Sequence, residues 1–223
     1  MIRIALVSLV LAACGDDGGT HIDAPGANLT LSGEIVDWDS TDALFCGVFG
    51  AALTVHGNTA LTDSTNPTGR ITLMVPDAAA VQVDVTAPTM MSQCETGIGL
   101  YQLPATIITG SAVINSGKTV SYRMIGMDRI APFFTGLGVT YDSTKALVFV
   151  HVEGPQKAVT SSAAHDTAVA WSGSAWAAGS TGIDVVFPNT PPGMTMVDAG
   201  GALGAGSVPT TAGAFTYVTL VTN

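Results

Sequence analysis

Apolar and polar residues alternate along much of the chain, and a repeat of two residues is the pattern of a strand with one buried face. A turn at 63–69 separates two such strands, because Asn66, Pro67 and Gly69 within it are residues that end regular structure. The predicted strands of the first half lie at 29–38, at 51–56, on either side of that turn within 59–76, and at 81–85.

The middle of the chain follows a different pattern. Residues 106–125 predict two strands around a turn at 115–117, and residues 127–137 then carry apolar side chains at helical spacing. We predict a short helix there, with Pro132 in its first turn or at a kink. The β pattern returns in the second half, with predicted strands at 146–152, 167–171, 174–178, 183–187, 194–197 and 214–221.

The N-terminus has the composition of an export signal. Arg3 precedes an apolar run at 4–13, which is too short to cross a bilayer as a helix. The run ends in Leu-Ala-Ala-Cys, which resembles the lipobox of bacterial lipoproteins. That resemblance implies a signal peptide at 1–13, cleavage before Cys14, and acylation of the Cys14 thiol; an ordinary secretory signal is the alternative. Residues 14–27 are polar and glycine-rich and predict a flexible tether.

Two segments share one order of features: a glycine, a strand, a proline turn, a strand and an alanine. They run from 69 to 87 and from 182 to 199. Both resemble the carboxypeptidase regulatory-like domain, and Gly33, Gly50-Ala51 and Thr62-Asp63 also match its pattern. The resemblance implies an all-β fold of one or two immunoglobulin-like or transthyretin-like β-sandwich modules joined by a short helix. It also implies an accessory, interaction or scaffold role.

On this basis we predict three regions in the exported part. A first β-sandwich with a divergent C-terminal part would span 28–125, a helical connector 126–140, and a second, weaker repeat 141–223. The chain has 26 glycines and 11 prolines, which favour short strands and frequent turns.

Charge narrows the choice of partners. Seven basic residues face 17 acidic ones, and removal of the signal would take away Arg3 as well. Nucleic-acid binders use basic patches to displace counterions, so we predict no nucleic-acid partner. An acidic exported protein is compatible with carbohydrate or divalent-cation partners.

Besides Cys14 the chain contains two cysteines, Cys46 and Cys94. An even pair in an oxidising compartment predicts a disulfide between them. A metal-binding or reactive pair is the alternative, but neither a CxxC spacing nor a neighbouring histidine supports it.

The sequence offers no catalytic site and no cofactor motif. Ser172-Gly173-Ser174 lacks the strand–turn–helix context of a nucleophile elbow, and we interpret it as a turn. His151 and Glu153 fall on one face of a predicted strand, and we interpret them as a surface pair, because two residues are half a metal site at best.

Two sets of residues are candidates for ligand binding. The side chains of Asp37, Asp39 and Asp42 could supply oxygen ligands to calcium, although aspartates also cap turns. The rings of Trp171 and Trp176 could stack on a sugar, although tryptophans also fill the cores of β-sandwiches.

The sequence therefore predicts a non-catalytic cell-envelope lipoprotein that acts as an interaction or scaffold module. The lipid anchor would hold it in the outer membrane, facing the periplasm or the exterior, with an envelope protein or polysaccharide as partner. Residue 15, after the anchor cysteine, is glycine and not aspartate, and by resemblance to the sorting rules of enterobacterial lipoproteins this implies the outer membrane instead of inner-membrane retention. The alternatives are a calcium- or carbohydrate-binding surface lipoprotein, and an enzyme with a site in the unassigned middle region.

Overall fold

The computed structural model describes residues 28–38, 47–88 and 103–223. Within these ranges the strands are β1 (Asn28–Asp37), β2 (Ala52–Val55), β3 (Asn58–Ser64), β4 (Arg70–Pro76), β5 (Val81–Thr86), β6 (Ala105–Thr109), β7 (Val120–Met124), β8 (Ala146–Glu153), β9 (Thr160–Ser161), β10 (Val169–Trp171), β11 (Trp176–Ala178), β12 (Asp184–Thr190), β13 (Gly193–Asp198), β14 (Gly206–Thr210) and β15 (Phe215–Val221). The helices are α1 (Ser111–Ile114) and α2 (Met127–Gly136).

The strands form three sheets. A nine-stranded sheet has the order β11-β10-β12-β8-β15-β6-β5-β2-β3. Two three-stranded sheets, β4-β1-β7 and β14-β13-β9, each contribute to a separate hydrophobic core shared with the nine-stranded sheet. We call β4-β1-β7 the first sheet and β14-β13-β9 the third sheet.

The centre of the nine-stranded sheet is buried on both faces. In β8, Leu147 and Phe149 contribute to the core shared with the first sheet, while Val148 and Val150 contribute to the core shared with the third sheet. A strand that is covered on both faces carries a continuous apolar run instead of an alternating one. This is why the sequence of β8 reads Ala-Leu-Val-Phe-Val before its first polar residue.

Strands from both halves of the chain are joined in this sheet. Strand β15 lies between β6 and β8 and pairs in parallel with both. Strand β6 continues antiparallel to β5, and β8 continues antiparallel to β12. The pairing of β15 with β6 connects the predicted segments 28–125 and 141–223. Their division into two modules stays a prediction.

The all-β class predicted from the sequence is confirmed, and the short helix at 127–137 is present as α2. The segment before it differs from the prediction, because Ser111–Ile114 forms the short helix α1 instead of part of a strand. Strand β14 was not predicted. Its apolar residues are few, and Pro209 interrupts the pattern, as is common in a strand at the edge of a sheet.

The predicted turn before β4 depends on a glycine. Gly69 has a φ of 75°, a conformation that L side chains rarely adopt. A Cβ atom at this position would lie 2.1 Å from the backbone oxygen of Ile35. The Gly69 carbonyl accepts a hydrogen bond from the Ile35 amide at 2.8 Å, so the turn is held against β1.

Candidate functional site

The register of the nine-stranded sheet places a row of unlike side chains side by side. Trp176 lies opposite Trp171, Trp171 opposite Asp184, Asp184 opposite His151, and His151 opposite Thr219. Directly opposed residues project from the same face of a sheet. This face is the one that packs against the first sheet, because Phe149 and Val186, two positions away, belong to that core.

Asp184 is at the centre of a buried ionic network. Its Oδ1 lies 2.6 Å from His151 Nδ1, and its Oδ2 accepts a hydrogen bond from Arg123 Nε at 2.6 Å. The other ring nitrogen of His151, Nε2, lies 3.1 Å from Glu153 Oε1. Arg123 comes from β7, and the other three residues come from β8 and β12. The network therefore connects the first sheet to the nine-stranded sheet.

Arg123 also contacts other groups between the two sheets. Its NH1 donates to the backbone oxygen of Trp38 at 3.1 Å, and its guanidinium lies over the Trp171 ring, 5.3 Å from the centroid. The Tyr217 hydroxyl donates a short hydrogen bond to the Arg123 backbone oxygen. The neighbouring residue of β7, Tyr122, packs against the Tyr217 ring at 5.2 Å. We call this region, where Tyr122 and Arg123 of β7 meet Tyr217 and the pair of Asp184 and His151, the seam.

A second ion pair lies where β1 ends. Arg129 of α2 donates from NH1 to the Asp37 carboxylate, at 3.1 Å to Oδ2 and 3.3 Å to Oδ1. Asp37 Oδ1 also accepts from the Trp38 amide at 2.9 Å. The pair fixes α2 against the end of the first sheet.

All three tryptophans of the chain lie in one aromatic cluster beside the seam. Trp38 stacks on Trp176 with a centroid distance of 4.8 Å and an interplanar angle of 8°, and Trp171 lies 5.7 Å from Trp176. Phe133 of α2 meets Trp38 edge-on at 5.0 Å. The cluster covers the seam on the side of α2.

The environment of His151 favours its charged form. Burial alone lowers the pKa of an imidazole, but the hydrogen bonds and negative charges of Asp184 and Glu153 outweigh burial and raise the pKa of His151 to about 9. The hydrogen bond from His151 in turn lowers the pKa of Glu153. At neutral pH the ring therefore carries two N–H groups and donates one to each carboxylate.

The tyrosines of the seam stay protonated. Burial raises the pKa of Tyr122 and of Tyr217 far above the ordinary value for a phenol. The Tyr122 hydroxyl accepts a hydrogen bond from Thr219 Oγ1 at 3.3 Å. These groups act as neutral hydrogen-bonding partners of the network.

The sequence-based interpretation of His151 and Glu153 as a surface pair is wrong for His151. The two side chains do lie together on one strand face, but His151 is buried and has Asp184 as its closer partner. Since both ring nitrogens are hydrogen-bonded to carboxylates, the structure gives this histidine a role in holding strands together.

The other candidate residues divide into two groups. Asp37 is buried against Arg129, and Trp171 and Trp176 belong to the aromatic cluster, with one ring face of Trp176 covered by Trp38. Their roles in binding calcium or sugar stay predictions. The remaining candidates lie outside the described residues: Cys14, Asp39, Asp42, Cys46 and Cys94.

Sequence reasoning missed Asp184, Arg123 and Arg129. Asp184 gave one signal that could have been used: it is a lone acidic residue at the start of the apolar run Val-Val-Phe, and a charge in a strand buried on both faces needs a partner. Among the residues that the structure describes, no group of three or more histidine, cysteine, aspartate or glutamate side chains could hold a metal ion.

No protein-family model and no curated protein matches the chain. Among solved structures, the shaft pilin SpaA from Lactobacillus rhamnosus GG is similar at 9% sequence identity and a TM-score of 0.27, covering 88% of this chain and 98% of the pilin chain. A mutant form of the same pilin gives 11% identity and a TM-score of 0.28, covering 90% and 98%. In the described part of the chain, none of the helices has the length and apolar character needed to cross a bilayer.

Proposed function

We propose that this chain is a non-catalytic cell-envelope lipoprotein whose β-sheet body serves as an interaction or scaffold module. The observation that supports this role best is that the ionisable side chains gathered between the two sheets bond to one another. Arg123, His151, Asp184 and Glu153 bond to one another between two sheets, where they stabilise the body. Binding surfaces are held most precisely when they are built on rigid elements of this kind.

The proposed cellular location of the module depends on its N-terminus. The apolar run at 4–13, the small residues Ala12 and Ala13, and Cys14 together support lipid attachment at Cys14. One acyl chain binds a membrane reversibly, and stable anchoring needs at least two. We place the anchor in the outer membrane, with the glycine-rich tether at 15–27 between the lipid and β1.

Metabolic labelling tests the anchor. Cells that express the full chain would be fed an alkyne analogue of palmitate, and the purified protein would be examined for the label. We expect label on the natural chain and none on Cys14→Ser, with the variant released from the membrane fraction. Cys94→Ser is the matched control and keeps the label. An unlabelled natural chain would contradict the lipoprotein proposal.

A separate experiment tests the interaction role. The exported part would be purified as a variant that lacks the anchor cysteine. Pull-downs would then test its binding to purified cell-wall polysaccharide and, separately, to outer-membrane extract. We expect saturable binding to one of the two. Absence of saturable binding to both would contradict the interaction role.

A further inference from the structure

The network at the seam balances its charges only in one protonation state. Arg123 and a doubly protonated His151 supply two positive charges, and Asp184 and Glu153 supply two negative charges. A neutral His151 would leave two carboxylates with one guanidinium. An uncompensated charge in a buried site is strongly destabilising, because it has lost its hydration without gaining a partner of opposite charge.

We propose that His151 is a proton-dependent latch between two sheets. While the imidazole holds its second proton, the first sheet stays closed on the nine-stranded sheet through Arg123 and Asp184. Loss of that proton loosens the seam. This inference goes beyond the proposed function, since it depends on neither the lipid anchor nor a partner.

The groups around His151 define the latch from each side. Asp184 faces it from β12, and Glu153 flanks it on β8 itself. Thr219 lies opposite it on β15 and donates to Tyr122 of β7. Arg123 of β7 reaches it through Asp184. The negative charge of Asp184 also acts on Tyr217 of β15, and the exposed Lys118 acts on Glu153 from the loop before β7.

The sign of the pH dependence of stability follows from the raised pKa of His151. The folded chain holds the His151 proton more tightly than the unfolded chain does, so the latch contributes fully below about pH 6.5. The contribution declines as the pH rises and is lost above about pH 9. Each pKa unit between these values is a tenfold change in an equilibrium constant, so we expect the unfolding constant to rise roughly three-hundredfold across this range.

The tryptophans provide a direct readout, because all three lie in the aromatic cluster beside the seam. Tryptophan emission, excited selectively over tyrosine, would be recorded for the purified protein from about pH 6 to about pH 10. We expect a transition near pH 9. His56→Gln is the matched control, since His56 is also bonded to an aspartate but is exposed, and it should keep the transition.

Two variants separate the charge of His151 from its shape. His151→Gln removes the proton-binding group, so its emission at pH 7 should resemble that of the natural chain above pH 9 and show no transition. His151→Gln combined with Glu153→Gln restores the charge balance, so its emission should resemble that of the natural chain at pH 7. A double variant that is no closer to the natural chain than the single one would overturn the latch.

The natural protein alone also decides the question, even if the variants fail to fold. A proton NMR titration of its four histidines should show one ring, assigned to His151, that titrates near pH 9 together with the emission change. A His151 ring that titrates near its ordinary pH of about 6.5, or an emission that is constant from pH 6 to pH 10, overturns the proposal.

Discussion

The molecule contains two histidine–aspartate pairs, one at the surface and one buried between two sheets. His56, directly after β2, has its Nδ1 2.8 Å from the Asp84 carboxylate of β5, and the two side chains are 62% and 48% exposed. His151 Nδ1 lies 2.6 Å from Asp184 between two sheets, where the side chains are 7% and 2% exposed. The distances are almost equal, so burial and neighbouring charges account for the difference in what each pair contributes.

The comparison teaches that geometry alone does not identify an important ion pair. Water competes for the hydrogen bond between His56 and Asp84, and an exposed pair of this kind contributes about 0–1 kcal/mol. The pair of His151 and Asp184 is closed off from water and has Arg123 and Glu153 as further partners. There, the loss of one member leaves its partners buried without compensation.

The largest effect is expected from Asp184→Ala. The change leaves Arg123 and His151 buried without the carboxylate that joins them, and we expect the free energy of unfolding to fall by about 3–5 kcal/mol. Urea denaturation at pH 7 measures it, with Asp84→Ala as the exposed counterpart. Equal losses for the two variants would remove the distinction between the pairs.

Arg129→Ala should have an intermediate effect. Arg129 is 31% exposed while its partner Asp37 is 4% exposed, so the change removes a donor from a buried carboxylate. We expect a loss of about 1–2 kcal/mol, also by urea denaturation. Arg70→Ala, at an exposed position of β4, is the matched control and should change stability by less than about 0.5 kcal/mol.

A smaller effect is expected when the exposed pair is removed. His56→Ala and Asp84→Ala should each lower the free energy of unfolding by about 0.5 kcal/mol or less, since the pair is in contact with water. A double-mutant cycle on the two positions measures their coupling. A coupling of about 2 kcal/mol or more would mean that side-chain exposure does not predict how much this pair contributes to stability.

The smallest effect is the response to salt, measured as the change in each pair's coupling energy between low salt and about 1 M sodium chloride. At that ionic strength charges are screened over about 3 Å, so the coupling of His56 with Asp84 should largely disappear. The coupling of His151 with Asp184 should change little, because ions do not enter the seam. A buried coupling that falls with the exposed one would show that water reaches the seam.

Much of the fold could be predicted because its signals are local. Strands β4 and β5 alternate buried and exposed residues, and the sequence shows this alternation directly. The helix α2 shows helical spacing of its apolar residues. The short helix α1 was missed because four residues carry too little periodicity to separate a helix from a strand.

The network could not be predicted, because it depends on register. Asp184 meets His151 only because β12 pairs with β8 at these two positions, 33 residues apart in the chain. Arg123 reaches them from a strand of another sheet. The sequence shows each of these residues as one charge in an apolar setting, which indicates burial with a partner but does not identify the partner.

The position of β15 has a consequence for the order in which the chain can fold. This strand, at residues 215–221, lies between β6 and β8, so the two halves of the nine-stranded sheet can join only after residues 215–218, which pair with β6, have been synthesised. Pairs such as β5 with β6 and β8 with β12 can form without β15, but the two halves of the sheet stay separate until this strand is inserted. Loss of β15 would therefore leave the two halves of the sheet without the strand that bridges them.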